Sequence, residues 1–381
     1  CKPSIKNTES PFIRDCIDLK RYMFLVVVSL VPCLLFGIYN VGRNSYLSVK
    51  CNNFTIIEAF IEGSLHVLPL ILISYVIGGM CEVLFAQVRK HEVSEGFLVT
   101  GMLYPLICPP TIPWWIFIIG IIFGIIIGKE IFGGVGHNIL NPALTARTFL
   151  FFSYPAFMSG DIWNAIPLYK NENGEIFKKT WTFISEEKLN FYINNFSENI
   201  DNISNPTILS LTKTVQTNNQ EMLKIINDFF PLKNLFLGLT PGAIGETSVL
   251  LCLIVGLFLI LTNIASWRTM FGVLLGGLLT SSVFYLTAEK LGGIFLLNPI
   301  EHLCVGGFCF GAVFMSTDPV SGPLLNESRI IYGFLIGSLC ILIRLFNPAF
   351  PEGMMLSILF MNIFSPLIDN IVINFKKGIN K

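Results

Sequence analysis

Four carboxylates stand in stretches otherwise suited to hydrocarbon: Glu82 in GGMCEVLF, Glu130 in GKEIFGG, Asp318 in MSTDPVSGP and Asp369 in SPLIDN. An ionised carboxylate in a bilayer costs at least about 2.5 kcal/mol, so such residues point to a coupling-ion or proton site. Glu82 has no basic neighbour before Arg89, whereas Glu130 could equally pair with Lys129 at a membrane face. A second kind of chemistry lies in the break GKEIFGGVGHNILNPALTAR, where Gly133, Gly134, Gly136, His137, Asn138, Asn141 and Pro142 interrupt apolar sequence. Glycine and proline end helices, and amides offer donors and acceptors. Loose backbone at membrane depth needs cover from protein or a water-filled cavity, so the break reads either as a ligand or ion site between half-helices or as a surface loop. Gly78-Gly79, one turn before Glu82, would let a neighbouring helix or a flat ring approach. His91, Glu92 and Glu95 form an acid–base group or a solvated loop. LGLTPGAIGETS, residues 237–248, offers backbone N–H groups to a phosphate or simply caps the next helix. Asp201-Asn202-Ile203-Ser204-Asn205-Pro206-Thr207 in isolation is a polar turn. The chain has no P-loop, no GxGxxG, no HExxH and no CxxC; its ten cysteines read as small buried hydrophobes.

The elements that must position these residues follow from composition. Of 381 residues 53% are hydrophobic and only 13% charged, well below the roughly 25% of soluble domains, which predicts an all-α polytopic membrane protein. About ten transmembrane helices are expected, near 22–41, 66–88, 97–108, 114–127, 142–154, 247–264, 269–287, 302–315, 330–346 and 354–375. Residues 156–247 between them are polar, rich in Asn, Lys, Glu and Ser. Basic residues before the first span, after the second and at the chain end fall on one side after ten crossings. The positive-inside rule makes that side cytoplasmic and the polar segment outward-facing. The organisation is then 1–21 cytoplasmic, 22–155 first membrane half, 156–247 outward loop, 248–375 second half and 376–381 cytoplasmic tail. The halves repeat: CPPTIP, an apolar run and LNPALTAR in the first; STDPVSGP, an apolar run and FNPAFPEG in the second. Matched broken segments in two halves predict a site near the membrane midplane. A net charge of zero gives no argument for nucleic acid.

Taken together, RDCIDLKRYMFLV, GGMCEVLFAQVRKHEVSEGFLVTGMLYPLICPPTIP, GKEIFGGVGHNILNPALTARTFLFFSYP, PGAIGETSVL, MSTDPVSGP and NPAFPEGMMLSILFMNIFSPLID resemble the family of B subunits of the sodium-translocating NADH:quinone reductases. That family shares its fold with the D subunits of the Rnf complexes. The resemblance implies FMN joined by a phosphoester to Thr207 within a pattern that also uses Asp201 and Ser204; Asn205 and Pro206 stand where the pattern has Gly and Ala. It implies a noncovalent riboflavin at Asn138 and Asn141, quinone reduction near Gly78, Gly79 and Glu95, and sodium movement involving Glu82, Asp318 and Asp369. It further implies a bacterial inner-membrane complex whose partners include a periplasmic FMN subunit and a cytoplasmic NADH/FAD/iron–sulfur subunit. The sequence leaves two rivals open: an Rnf-type subunit passing electrons between ferredoxin and NAD, and a channel or solute carrier without redox chemistry.

Overall fold

The computed structural model describes residues 19–48, 53–90, 95–158, 163, 168–170, 176–178, 207–209, 228, 230–286, 288, 293–347 and 352–379. The first half holds α1 (Leu19–Ser48), α2 (Ile56–Arg89), α3 (Gly96–Ile107), α4 (Trp114–Gly128) and α5 (Pro142–Ser153). In the polar segment a short antiparallel ribbon pairs β1 (Leu168–Lys170) with β2 (Ile176–Lys178), and α6 spans Leu232–Leu237. The second half holds α7 (Val249–Leu261), α8 (Trp267–Tyr285), α9 (Pro299–Cys304), α10 (Phe308–Phe310), α11 (Asn326–Phe346) and α12 (Met354–Ile379); α10 runs on into a π-helical turn, Gly311–Met315. Each of the ten expected spans therefore coincides with helix, the eighth as a broken one. The chain is an all-α polytopic membrane protein: among the described residues five helices are long and apolar enough to cross a bilayer, with shorter apolar helices beside them.

Several helix boundaries differ from the expected spans, most of all at the second. α2 begins at Ile56, ten residues before the expected start at 66, because Thr55 and Glu58 form a capping box, each side chain taking the other's backbone N–H. Glu58 and Glu62 dilute the hydropathy there without weakening the helix. At 34 residues α2 is about 50 Å long and outreaches a hydrocarbon core of about 30 Å.

With lipid outside the bundle, helices hold together by close approach rather than by the hydrophobic effect. Gly272 and Gly276 on α8 lie against Gly333 and Gly337 on α11, four-residue spacings meeting backbone to backbone. Gly42 on α1 meets Gly63 on α2, and Gly124 on α4 meets Ala146 on α5 in the same manner. The repeat is visible in three dimensions: α2 packs on α4 as α8 packs on α11, and α4 on α5 as α11 on α12. Ion pairs stitch one face of the bundle. Lys20 pairs with Glu95 at 2.9 Å, Arg89 with Glu130 at 3.3 Å and Lys376 with Glu327 at 2.9 Å. The lysine at that first pair holds the Glu95 carboxyl below its usual range.

Gly78 is the tightest point between α2 and α3. A Cβ there would lie 2.6 Å from the Phe97 ring, while one at neighbouring Gly79 meets the same ring at an ordinary 3.7 Å. Gly78→Ala is expected to displace Phe97 and lower stability by about 1–3 kcal/mol. Gly79→Ala should be close to neutral; thermal unfolding of the two variants in detergent checks the contrast.

Candidate functional site

The glycine-rich break folds into a largely exposed turn between α4 and α5, with Ile131, Phe132, Gly133, Gly136, His137 and Ile139 outward and only Gly134, Asn138 and Asn141 buried. Gly133, Gly134 and Gly136 all have positive φ (120°, 95° and 90°), a backbone open to few other residues. The turn brings the chain back to Asn141, whose side-chain oxygen accepts the N–H groups of Ala143 and Leu144 at 3.0 and 3.3 Å. Pro142 follows at the first helical position, so α5 starts there. Asn138 donates from Nδ2 to the Leu140 carbonyl at 3.1 Å. Among the described residues the Asn138 amide oxygen and the Asn141 amide nitrogen carry no hydrogen bond, and both side chains line an inner cavity. Its other walls come from α1 (Tyr22), α3 (Leu103), Lys129 and the segment Val313–Val320 of the second half. The cavity thus sits where the two broken segments of the repeat meet. Its walls are mostly apolar, with amide groups at one edge.

The four carboxylates have different surroundings. Glu82 is buried and accepts from Lys129 Nζ, also buried. That ammonium lies 3.9 Å from Glu130, whose other oxygen takes Arg89 at 3.3 Å. Asp318, in the inner-cavity wall, accepts from the Val320 N–H at 3.1 Å and the Ser321 hydroxyl at 2.9 Å, closing its own turn. Asp369, on α12, accepts the N–H groups of Leu324 and Leu325 at 2.9 and 3.3 Å, just ahead of α11. Both of its oxygens therefore serve the orphan donors where that helix begins.

Towards the other end of the bundle Thr207 lines an outer cavity, beside Gly242, Glu246, Thr247, Gly306 and Glu352. The Thr247 hydroxyl is buried and has no hydrogen-bond partner among the described residues. Thr247 stands immediately before the start of α7, where Ser248 is the N-cap, so the helix dipole adds positive potential there. A phosphate carried on Thr207 suits this combination of an orphan hydroxyl and a helix N-terminus. Asp201, Ser204, Asn205 and Pro206 lie outside the described residues.

Below this cavity the broken helix is held by charge. Arg344, buried, donates to the carbonyls of His302 and Val305 at 2.5 and 2.8 Å and to that of Glu352 at 3.0 Å. The first two are carbonyls at the C-terminal end of α9, the negative end of its dipole. Glu246 packs on Gly307, at the positive start of α10. Arg147 donates to Glu246 at 2.9 Å and also pairs with Glu352.

Gly78 and Gly79 sit under the Phe97 ring. Glu95 precedes α3 two residues from Phe97, and its neighbour Gly96 lines the inner cavity. Gly78 and Gly79 thus lie within α2 against the start of α3, while the Glu95 side chain turns to Lys20 on α1. The sequence reading missed Arg147, Glu246, Glu352 and Arg344, and also the pairing of Lys129 with Glu82. The one available signal was an arginine within an apolar run, which by itself demands a counter-charge.

A family-wide sequence model described as the NQR2, RnfD, RnfE family matches residues 6–378. The chain is 40% identical over 395 residues to a protein of Ectopseudomonas mendocina named as the B subunit of Na(+)-translocating NADH-quinone reductase, covering 98% of this chain and 88% of that one. A protein of the same name from Stutzerimonas stutzeri is 40% identical with the same coverage. One from Chlamydia felis is 37% identical over 459 residues, covering 97% and 91%.

Replacing Arg147 by Gln would leave Glu246 and Glu352 facing each other without their shared cation. Removing one partner of a buried pair typically costs about 3–5 kcal/mol. Thermal unfolding in detergent should therefore show a large loss for Arg147→Gln. Lys376→Gln, on an exposed pair, should cost no more than about 1 kcal/mol.

Proposed function

The chain belongs to the NQR2, RnfD, RnfE family, and we propose that it is the membrane redox subunit of a sodium-pumping NADH:quinone oxidoreductase, the activity named for the relatives at about 40% identity. In this reading electrons enter on the outer side from a partner's periplasmic flavin, and a further partner on the cytoplasmic side supplies NADH oxidation. FMN is esterified to Thr207 and riboflavin occupies the inner cavity; when bound, the two flavins supply the electron-carrying chemistry. The protein's task is to hold the rings, exclude bulk water and set their electrostatics. Both chain ends lie in the cytoplasm of a bacterial inner membrane.

One observation carries the reading. The same broken segment of the second half reaches both cavities: Cys304, Val305 and Gly306 line the outer one, Val313 to Val320 the inner one. Seven residues separate Gly306 from Val313, so one short stretch of chain joins the walls of the two cavities. Two rings seated in the cavities would be close enough for direct electron tunnelling through protein. A solute carrier has no need of two ring-sized cavities bridged in this way. The family description also covers RnfD and RnfE; turnover of the purified complex with quinone, rather than ferredoxin, separates that reading.

For quinone, Gly78, Gly79 and Glu95 offer an approach beside the inner cavity, with Gly79 leaving room for a flat head group. For sodium, Glu82 is the strongest of the three acids, because Asp318 closes its own turn and Asp369 serves the start of α11.

The FMN assignment is tested on a denaturing gel under ultraviolet light, with the protein made alongside its flavin transferase. The wild-type band should fluoresce and the Thr207→Ala band should be dark; a dark wild-type band removes Thr207 from the electron path. Gly79→Leu should raise the KM for quinone at unchanged flavin content, because a bulky side chain there blocks access without touching either ring. An unchanged KM would move the quinone elsewhere.

A further inference from the structure

We infer that the start of α8 holds one anionic glycerophospholipid, its phosphate between Arg268 and Arg329 and one acyl chain in the groove between α7 and α8. Two adjoining hollows make the site. One is a polar cleft lined by Ser266, Arg268, Thr317, Pro323 and Arg329; the other is an apolar groove lined by Leu253, Leu257, Ile260, Phe271 and Leu274. Trp267 is exposed and borders both, and a tryptophan beside an arginine suits the level of lipid headgroups. Among the described residues neither arginine is in an ion pair. The Arg268 guanidinium lies 5.3 Å from the centre of the Trp267 ring, and Arg329 donates from Nε to the Pro323 carbonyl at 3.1 Å. The acids close by are engaged elsewhere: Asp318 accepts from the Val320 N–H and the Ser321 hydroxyl, and Glu327, which senses Arg268, pairs with Lys376 at 2.9 Å. Two arginines against Asp318 leave the lining of the cleft with one positive charge in excess. The positive end of α8, a helix of 19 residues capped by Ser266, adds to it.

Depth decides what fills the groove. From Ile260 back to Leu253 on α7, and from Trp267 on to Leu274 on α8, the helices advance about seven positions each, which is about 10 Å. One leaflet of hydrocarbon is about 15 Å thick, half of a core of about 30 Å. The groove therefore stays within a single leaflet. It takes an acyl chain, whereas a partner's transmembrane helix would need to be held across both leaflets. The charge at its mouth selects the headgroup. A phosphodiester accepts the paired N–H groups of a guanidinium, and a neutral head such as a quinone makes no use of two arginines that lack a counter-charge. The floor of the groove is Cys309, Ala312 and Val313, and Val313 also lines the inner cavity. A seated acyl chain thus covers the lipid side of the π-helical turn, Gly311–Met315, that walls the inner cavity.

The test is native mass spectrometry of the purified complex, exchanged into detergent containing phosphatidylglycerol or, at the same concentration, phosphatidylcholine. With phosphatidylglycerol the wild type should retain one lipid more than the double variant Arg268→Gln/Arg329→Gln. The lipid concentration that restores this adduct should be at least about tenfold higher in the variant, as the loss of two cations at the membrane surface implies. With phosphatidylcholine the two proteins should carry equal numbers of lipids. Leu257→Trp, which fills the groove and leaves both arginines in place, should lose the same adduct. Glycerol 3-phosphate in large excess should leave the wild-type adduct bound; displacement by it would assign the cleft to a soluble anion and overturn the lipid. Equal phosphatidylglycerol retention by wild type and the double variant would overturn the proposal, as would a difference between them of the same size with phosphatidylcholine.

Discussion

Every charge in the interior of this bundle must find an opposite charge or an aligned peptide dipole, and the fold turns on how that is done at its breaks. The segment from α9 to α10 interrupts a helix at Val305–Gly307, leaving carbonyls at one side and N–H groups at the other. Arg344 gathers the carbonyls and Glu246 faces the N–H side, so each half-helix dipole meets a charge of the right sign. Arg147 then bridges Glu246 to Glu352, whose own carbonyl returns to Arg344. The circuit joins α5, the segment before α7, α11 and the segment before α12. The outer cavity has this circuit as its floor, and its shape depends on the break staying open.

The first half handles its own break differently. Three left-handed glycines and an asparagine cap turn the chain between α4 and α5 with little charge, and the charges that are present lie to one side as the Glu82–Lys129–Glu130–Arg89 chain. The two halves share positions: Gly101 to Cys108-Pro109 in the first has the spacing of Gly311 to Asp318-Pro319 in the second. Yet α3 is an unbroken helix and its counterpart contains a break and a π turn. One half thus carries the amides and the other the bridge between cavities.

Much of this was legible in the sequence, for stated reasons. Apolar runs report on solvent, and in a bilayer that nearly fixes helix, so the helical runs could be read directly. The Gly-Gly-x-Gly break and Asn141-Pro142 announce a turn and a helix start by their own backbone preferences. Pairings over long separations were not legible. Lys129 meets Glu82 across 47 positions, Arg147 meets Glu246 across 99 and Glu352 across 205. No local propensity encodes such partners; only the packing of helices brings them together. Asp369 shows the converse, since an acid in a span suggested ion chemistry while the structure gives its oxygens to the backbone before α11.

That contrast bears on which acids are free to do more than hold the fold. Asp369 and Asp318 are satisfied by donors fixed in the main chain or one turn away, so releasing either would uncap a helix or open a turn. Glu82 accepts from the end of a four-carbon side chain, whose main-chain N–H stays bonded to Ile125 whichever way the ammonium points. Rigid donors make structural carboxylates; a mobile donor leaves the choice of partner to the local field.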